Sequence, residues 1–242
     1  MAPQPRPLLP AVIGLVVAAL SVVLLWTAPP FGLIACVVSV CLIAPWGRYT
    51  MERAAISGVV ILGLIAVVFP RAGTLPLTST TARGLISAAV IAITIGAVFR
   101  WRRRDHGSLL PSFSSVDGVV IGVFAIATWW TVSAFIGQTP QQLLSSLYFG
   151  GWDNASHFIT FANTYIHEST TWTTNDGSLA WNQWYPSLHT TLYSLLQQAA
   201  GVGGLPRTGL LFPYAGWSSL AFAACAAARP WVAGDLAGRW AA

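Results

Sequence analysis

Asp153 and His157 stand four residues apart in the segment GGWDNASHFITFANTYIHE, and a second histidine, His189, follows Tyr185-Pro186 further on. On a helix, positions i and i+4 lie one turn apart on one face, so this carboxylate and imidazole can share a proton or a ligand. His189 joins them if the helix it opens packs against the first. Two chemistries suit such a trio. A carboxylate that takes the proton of an attacking hydroxyl is a general base, with imidazoles to orient it. Asp153, His157 and His189 also form a three-ligand set for a divalent cation, Zn²⁺ or Mn²⁺, although their spacing matches no established metal signature. The structural alternatives are an N-cap for Asp153, contributing about 1 kcal/mol, and a hydrogen-bonded pair fixing the loop for the histidines.

The stretch from Gly150 to His189 holds three of the seven acidic residues, three of the four histidines and four of the twelve tryptophans. Trp152 and Trp184, with Asn154, Glu168 and Tyr185, are candidates for binding substrate, the indoles by stacking on sugar rings. Tryptophan at a membrane interface is also a plain anchor, and Glu168 and Asp176 also read as solvated loop acids. No Arg or Lys occurs between Arg104 and Arg207. An anionic ligand would therefore take its cation from elsewhere: Arg207, a metal or a residue in a part of the protein outside this sequence.

The elements that must position these residues look membrane-embedded. Of 242 residues 55% are hydrophobic and 8% charged, against roughly 25% charged in soluble domains. All twelve basic residues are Arg and fall in short gaps between apolar runs. That placement is the mark of membrane topology and argues against nucleic acid as a partner. Cys36, Cys41 and Cys225 lie within apolar runs and read as inert buried thiols.

A helix crosses the hydrocarbon core with about 20 apolar residues, roughly 17 at the least. Leu8–Thr27, Phe31–Trp46, Ala54–Pro70, Leu85–Trp101, Val116–Gly137 and Gly209–Ala228 meet or approach that. The first is long for a signal-peptide core and lacks a good cleavage site, so it reads as a retained helix. Arg100, Arg102, Arg103 and Arg104 put their end of the fourth run in the cytoplasm. Counting from there places the amino terminus, Arg48 and Arg53 inside and segment 138–186 outside. The loop with Arg71 and Arg83 then falls outside, against the charge rule, and the deep segments are almost free of ionisable groups.

The fold expected is all-α: a polytopic transmembrane bundle of six or seven spans in the plasma membrane. Four helices fill 1–115. Region 116–242 adds a fifth span, an extracytoplasmic loop 138–186 with amphipathic interfacial helices, and the helices after it. Pro140 begins a short helix. Asp153 caps a helix running to about Glu168. It gathers Ala155, Phe158, Ile159, Ala162, Tyr165 and Ile166 on one face. Asp153, His157, Thr160, Thr164, His167 and Glu168 form a polar stripe turned to water or to a cavity. Asn175-Asp176-Gly177 marks a turn, and Tyr185-Pro186 opens the next helix. Leu188–Ala200 carries Thr190, Ser194, Gln197 and Gln198 along one side, as either a short buried crossing or a surface helix.

The motifs Trp152-Asp153-Asn154-Ala155-Ser156-His157-Phe158 and Trp184-Tyr185-Pro186-Ser187-Leu188-His189, placed after several spans, resemble a group of actinobacterial polytopic membrane proteins of unknown function. That group is similar to the GT-C class of membrane glycosyltransferases. The resemblance is specific over about 140–190 and topological before it, and members are longer, so the chain resembles an amino-terminal portion. It implies a polyprenyl-phosphate sugar donor, an envelope glycan acceptor and a base or metal-holding role for Asp153. Many GT-C motifs pair two acids where this chain has Asp153-Asn154, and their loop follows the first span, not the fifth. Two rivals remain: a transporter or flippase-like protein for lipid-linked intermediates, and a non-catalytic scaffold.

Overall fold

A single residue, Ala28, separates the first two helices, and the next two residues are prolines. The computed structural model describes residues 9–46, 49–54, 56–58, 60, 76–103, 111–113, 115–133, 135–149, 152–169 and 188–201; at some helical positions, notably 152–157 and 188–190, it describes the backbone alone. Among the described residues seven helices are bounded: α1 Leu9–Thr27, α2 Pro29–Ile43, α3 Ser79–Arg103, α4 Ser115–Ser133, α5 Pro140–Phe149, α6 Trp152–Ile166 and α7 Leu188–Ala200. Residues 50–54 and 56–58 are helical as well. Among the described residues there is no strand, only an isolated bridge between Tyr49 and Ser112, so the chain is all-α as expected.

Pro29 and Pro30 occupy the first turn of α2, where a missing N–H costs nothing. The chain reverses there tightly enough that a Cβ on Gly32 would strike the backbone of Leu24 and Leu25. Glycine is required for that approach. The hairpin then packs Ala18, Leu25, Cys36, Val40 and Ile43 against Val90, Ile93 and Ala97 of α3. Trp26 Nε1 donates to Ser87 Oγ at 3.2 Å and ties α1 to α3.

The expected runs meet α1 to α4 with shifted ends, and each shift has a local cause. Thr78 starts α3 well before Leu85: its Oγ1 accepts the Thr81 N–H at 3.2 Å, as an N-cap does. α4 stops at Ser133, before a turn that ends on Gly137 at φ +83. Large apolar side chains stand outward on all four, among them Leu20, Phe31, Ile34, Phe99 and Ile126. One described helix, Ser79–Trp101, is long and apolar enough to cross a membrane, with mean hydropathy 2.0 and 33% of its window buried. Val12–Thr27, Pro29–Ile43 and Asp117–Ala127 are apolar but shorter. Most of Ala54–Pro70 and all of Gly209–Ala228 lie outside the described residues.

Two ionisable residues at the edges of the expected runs are buried: Asp117 is 0% exposed and Arg53 6%. Asp117 stands in the first turn of α4 yet reaches another helix: its Oδ1 accepts the Met51 N–H at 3.4 Å. Glu52 Oε2 accepts the Tyr49 N–H at 3.3 Å. Two carboxylates thus serve amides at the start of one helix, where no intrahelical acceptor exists. Arg53 Nη1 donates to Leu42 O at 2.7 Å, covering the end of α2. Burial lowers the Arg53 pKa, Glu52 opposes the shift and Arg100 adds to it.

Candidate functional site

α5 opens the region that carries the candidate residues, and it starts on a capping box. The Thr139 N–H donates to Gln142 Oε1 at 2.8 Å, and the Gln142 N–H donates to Thr139 Oγ1 at 3.3 Å. Pro140, as expected, is the first helical residue. Leu144 of α5 packs on Phe158 and Phe161 of α6.

α6 begins at Trp152, so Asp153 is a first-turn residue and not the expected N-cap. A carboxylate there meets the positive end of the helix dipole. The far end also differs, stopping at Ile166 instead of about Glu168. The Ser169 N–H reaches back to Thr164 O at 3.3 Å while Glu168 adopts φ +49, a closure that usually employs glycine. Glu168 O accepts the Leu77 N–H at 2.6 Å, which fixes this end of α6 to the entrance of α3.

The buried face of α6 is rotated from the one the periodicity predicts. Phe158 and Phe161 are buried, as are Thr160 and Thr164 of the expected polar stripe, while Ile166 is 56% exposed. Thr164 Oγ1 donates to Thr160 O at 2.7 Å, so its hydroxyl is satisfied within its own helix and can be buried at little cost. Among the described side chains of the stripe, His167 and Glu168 at its end are exposed.

No residue of 191–200 is exposed, and Thr191, Ser194 and Gln197 are buried. Over 191–200, α7 is therefore enclosed by its neighbours. It ends at Gly201, φ +64, where Arg83 Nε donates to Ala199 O at 3.2 Å. That bond gives Arg83, which the sequence reading put outside against the charge rule, a structural role: it caps the negative end of α7. Among the described residues, Ser194 Oγ has no hydrogen-bond partner.

α6 and α7 run parallel. Gln198 Nε2 donates to Tyr165 O at 3.4 Å across 33 positions. Tyr193 packs on Phe158 and Phe161 at nearly the same offset. Among the described residues, these contacts between α6 and α7 fall at Phe158 and beyond; for 152–157 and 188–190 the backbone alone is described. The side chains of Trp152, Asp153, Asn154, His157 and His189 lie outside the described residues, as do Trp184, Tyr185 and Asp176 entirely. Among the described residues no three His, Cys, Asp or Glu gather to hold a metal ion.

One predicted contributor, Glu168, stands apart from His157, and so does Arg83. Glu168 comes eleven residues after His157, roughly 16 Å along the axis at 1.5 Å per residue. Arg83 meets Ala199, ten residues after His189 and roughly 15 Å along α7. Sequence reasoning missed the buried Asp117 and Arg53; the only signal was a lone acid opening an apolar helix. No family model, curated protein or solved structure matches the chain.

Proposed function

We propose that this chain is a multi-pass membrane protein whose α6–α7 pair carries a GT-C-like glycosyltransferase site on the extracytoplasmic side. The apolar side chains on the outward faces of α1 to α4 support the membrane setting, since such surfaces suit hydrocarbon and not water. The observation that supports the site best is the packing of α6 on α7 through Tyr193 and the Gln198 amide, which joins the helices that carry Asp153, His157 and His189.

The chemistry follows from the residue types. Asp153 accepts the proton of an acceptor hydroxyl as that oxygen bonds to the anomeric carbon; polyprenyl phosphate leaves from the opposite face with its bonding electrons. His157, one turn on, orients the carboxylate, and His189 is the corresponding contribution from α7. Asp153→Asn in the complete protein should abolish transfer from a polyprenyl-phosphate sugar at unchanged abundance and insertion. An unaltered envelope glycan profile in that variant would refute catalysis by Asp153.

A transporter for lipid-linked intermediates is the second reading, favoured by buried Thr160, Thr164, Thr191, Ser194 and Gln197 between α6 and its neighbours. It predicts that purified protein moves polyprenyl-phosphate sugar across a vesicle without consuming it.

A further inference from the structure

The far ends of α6 and α7 are tied to one end of the helical bundle. Glu168 O accepts the Leu77 N–H just before α3, and Arg83 of α3 reaches Ala199 O. A Cβ added to Gly201, the residue after α7, would lie 2.8 Å from Arg83 Nη2 and 3.6 Å from Pro29 Cβ. This is the end where α1 turns into α2. From there α7 runs back alongside the bundle. Leu192, Leu195 and Ala199 share a cluster with Leu33 of α2 and Ile86 of α3, each about one turn inside Pro29 and Arg83. α6 packs on α7 through Tyr193 and Gln198, so it too stands along the bundle and not flat across its end.

Helix rise converts this arrangement into depth. His189 comes twelve residues before Gly201, roughly 18 Å along α7, and Asp153 fifteen before Glu168, roughly 22 Å along α6. Both lengths exceed half of a hydrocarbon core, which is roughly 30 Å thick. α5 completes a hairpin. Two residues separate it from α6, and Leu144, five residues before its end, packs on Phe158 and Phe161, six and nine residues after the start of α6. The two helices are therefore antiparallel, with Phe149 and Trp152 at the end away from Glu168. Gln141, Gln142, Ser145 and Ser146 of α5 are exposed. Amides and hydroxyls are costly against hydrocarbon, and a carboxylate as deep as Asp153 is more so. Segments that enter a membrane and return are tolerated inside protein or beside water.

We propose that α5 and α6 form a re-entrant hairpin that dips into the membrane from the extracytoplasmic side, with a water-filled cleft along it. That cleft leads a hydrophilic ligand down to the level of Asp153 and His189. The hairpin presupposes the membrane setting read above, but not glycosyl transfer. The test uses the full chain without its three cysteines, in vesicles of known orientation. A fluorophore is attached at Ile166→Cys, near the anchored end, or at Ser145→Cys, beside Leu144 and so near the level of Phe158, roughly 15 Å from Glu168. Its quenching is compared for lipid nitroxides at the headgroup and deep in the acyl chain, and for iodide added on each side in turn.

The expected result is a reversal of preference: the headgroup nitroxide quenches more at Ile166 and the chain nitroxide more at Ser145. Iodide should reach both from the extracytoplasmic side. Headgroup preference at both positions would mean helices lying on the surface and would overturn the hairpin. Chain preference at Ser145 without iodide quenching would overturn the cleft, and iodide entry only from the cytoplasmic side would overturn the direction of entry. Quenching by neither nitroxide at either position removes the membrane setting itself. A surface pattern with sugar transfer still dependent on Asp153 removes the hairpin and keeps the enzyme.

Discussion

Replacing Gly32 by Ala asks the α1–α2 hairpin to hold a methyl group where the Leu24 and Leu25 backbone already stands. Backbone cannot rotate aside as a side chain can, so the two helices must separate by something on the order of 1 Å to reach ordinary contact distance. The hairpin has little room for that. Ala28 is its only linking residue, and Pro29 and Pro30 hold their φ angles. Moving α2 outward would also loosen Leu25, Cys36 and Val40 from α3. Overpacking of this kind costs about 1–3 kcal/mol, or roughly 2–12 °C in Tm for a chain of this length. A thiol-reactive fluorophore reads the transition, because Cys36 is buried and becomes reactive on unfolding. Gly122→Ala is the matched control: nothing lies within 4 Å of a Cβ there, and Ala is favoured over Gly in a helix by about 1 kcal/mol. Gly32→Ala should therefore melt lower than wild type and Gly122→Ala no lower. Coincident melting of wild type and Gly32→Ala would refute the close approach.

Arg83→Ala should lower stability by about 1–2 kcal/mol, the scale of a charge-assisted hydrogen bond at a half-exposed helix end. Hydrogen exchange at amides 197–201 should quicken while α1 stays protected, and unchanged exchange there would remove Arg83 as the cap of α7. Topology has its own check. In a cysteine-free background, Gln141→Cys should react with an impermeant maleimide added outside intact cells; reaction only after the cells are opened would put α5, and the proposed site with it, on the cytoplasmic side.

How far the fold could be read from the sequence depended on whether the governing interaction was local. Thr139-Pro140-Gln141-Gln142 and the Gly201 stop act within a few residues, and Pro140 and Ala200 were located at their helix ends from the sequence alone. The polar stripe of α6 failed for a physical reason. A threonine that donates to the carbonyl four residues back has no unmet need for water, so its polarity does not say which way it faces. Thr160 and Thr164 were assigned by polarity, but the covering helix decides.

Arg83 and Asp117 make the complementary case. A charge does need a partner, yet here each partner is a backbone group far along the chain, Ala199 O for one and the Met51 N–H for the other. Backbone groups are present at every residue and carry no sequence signature. The charge rule could therefore flag Arg83 against the expected topology without indicating what it served. The same reasoning bears on the candidate site. Asp153 and His157 could be associated through a local i, i+4 spacing. His189 is tied to them only through the packing of α7 on α6, which the Gln198 amide and Tyr165 O help to hold. Substituting Gln198 should therefore quicken hydrogen exchange along α7 and leave the spacing of Asp153 and His157 along α6 as it is; unchanged exchange in α7 would refute that role.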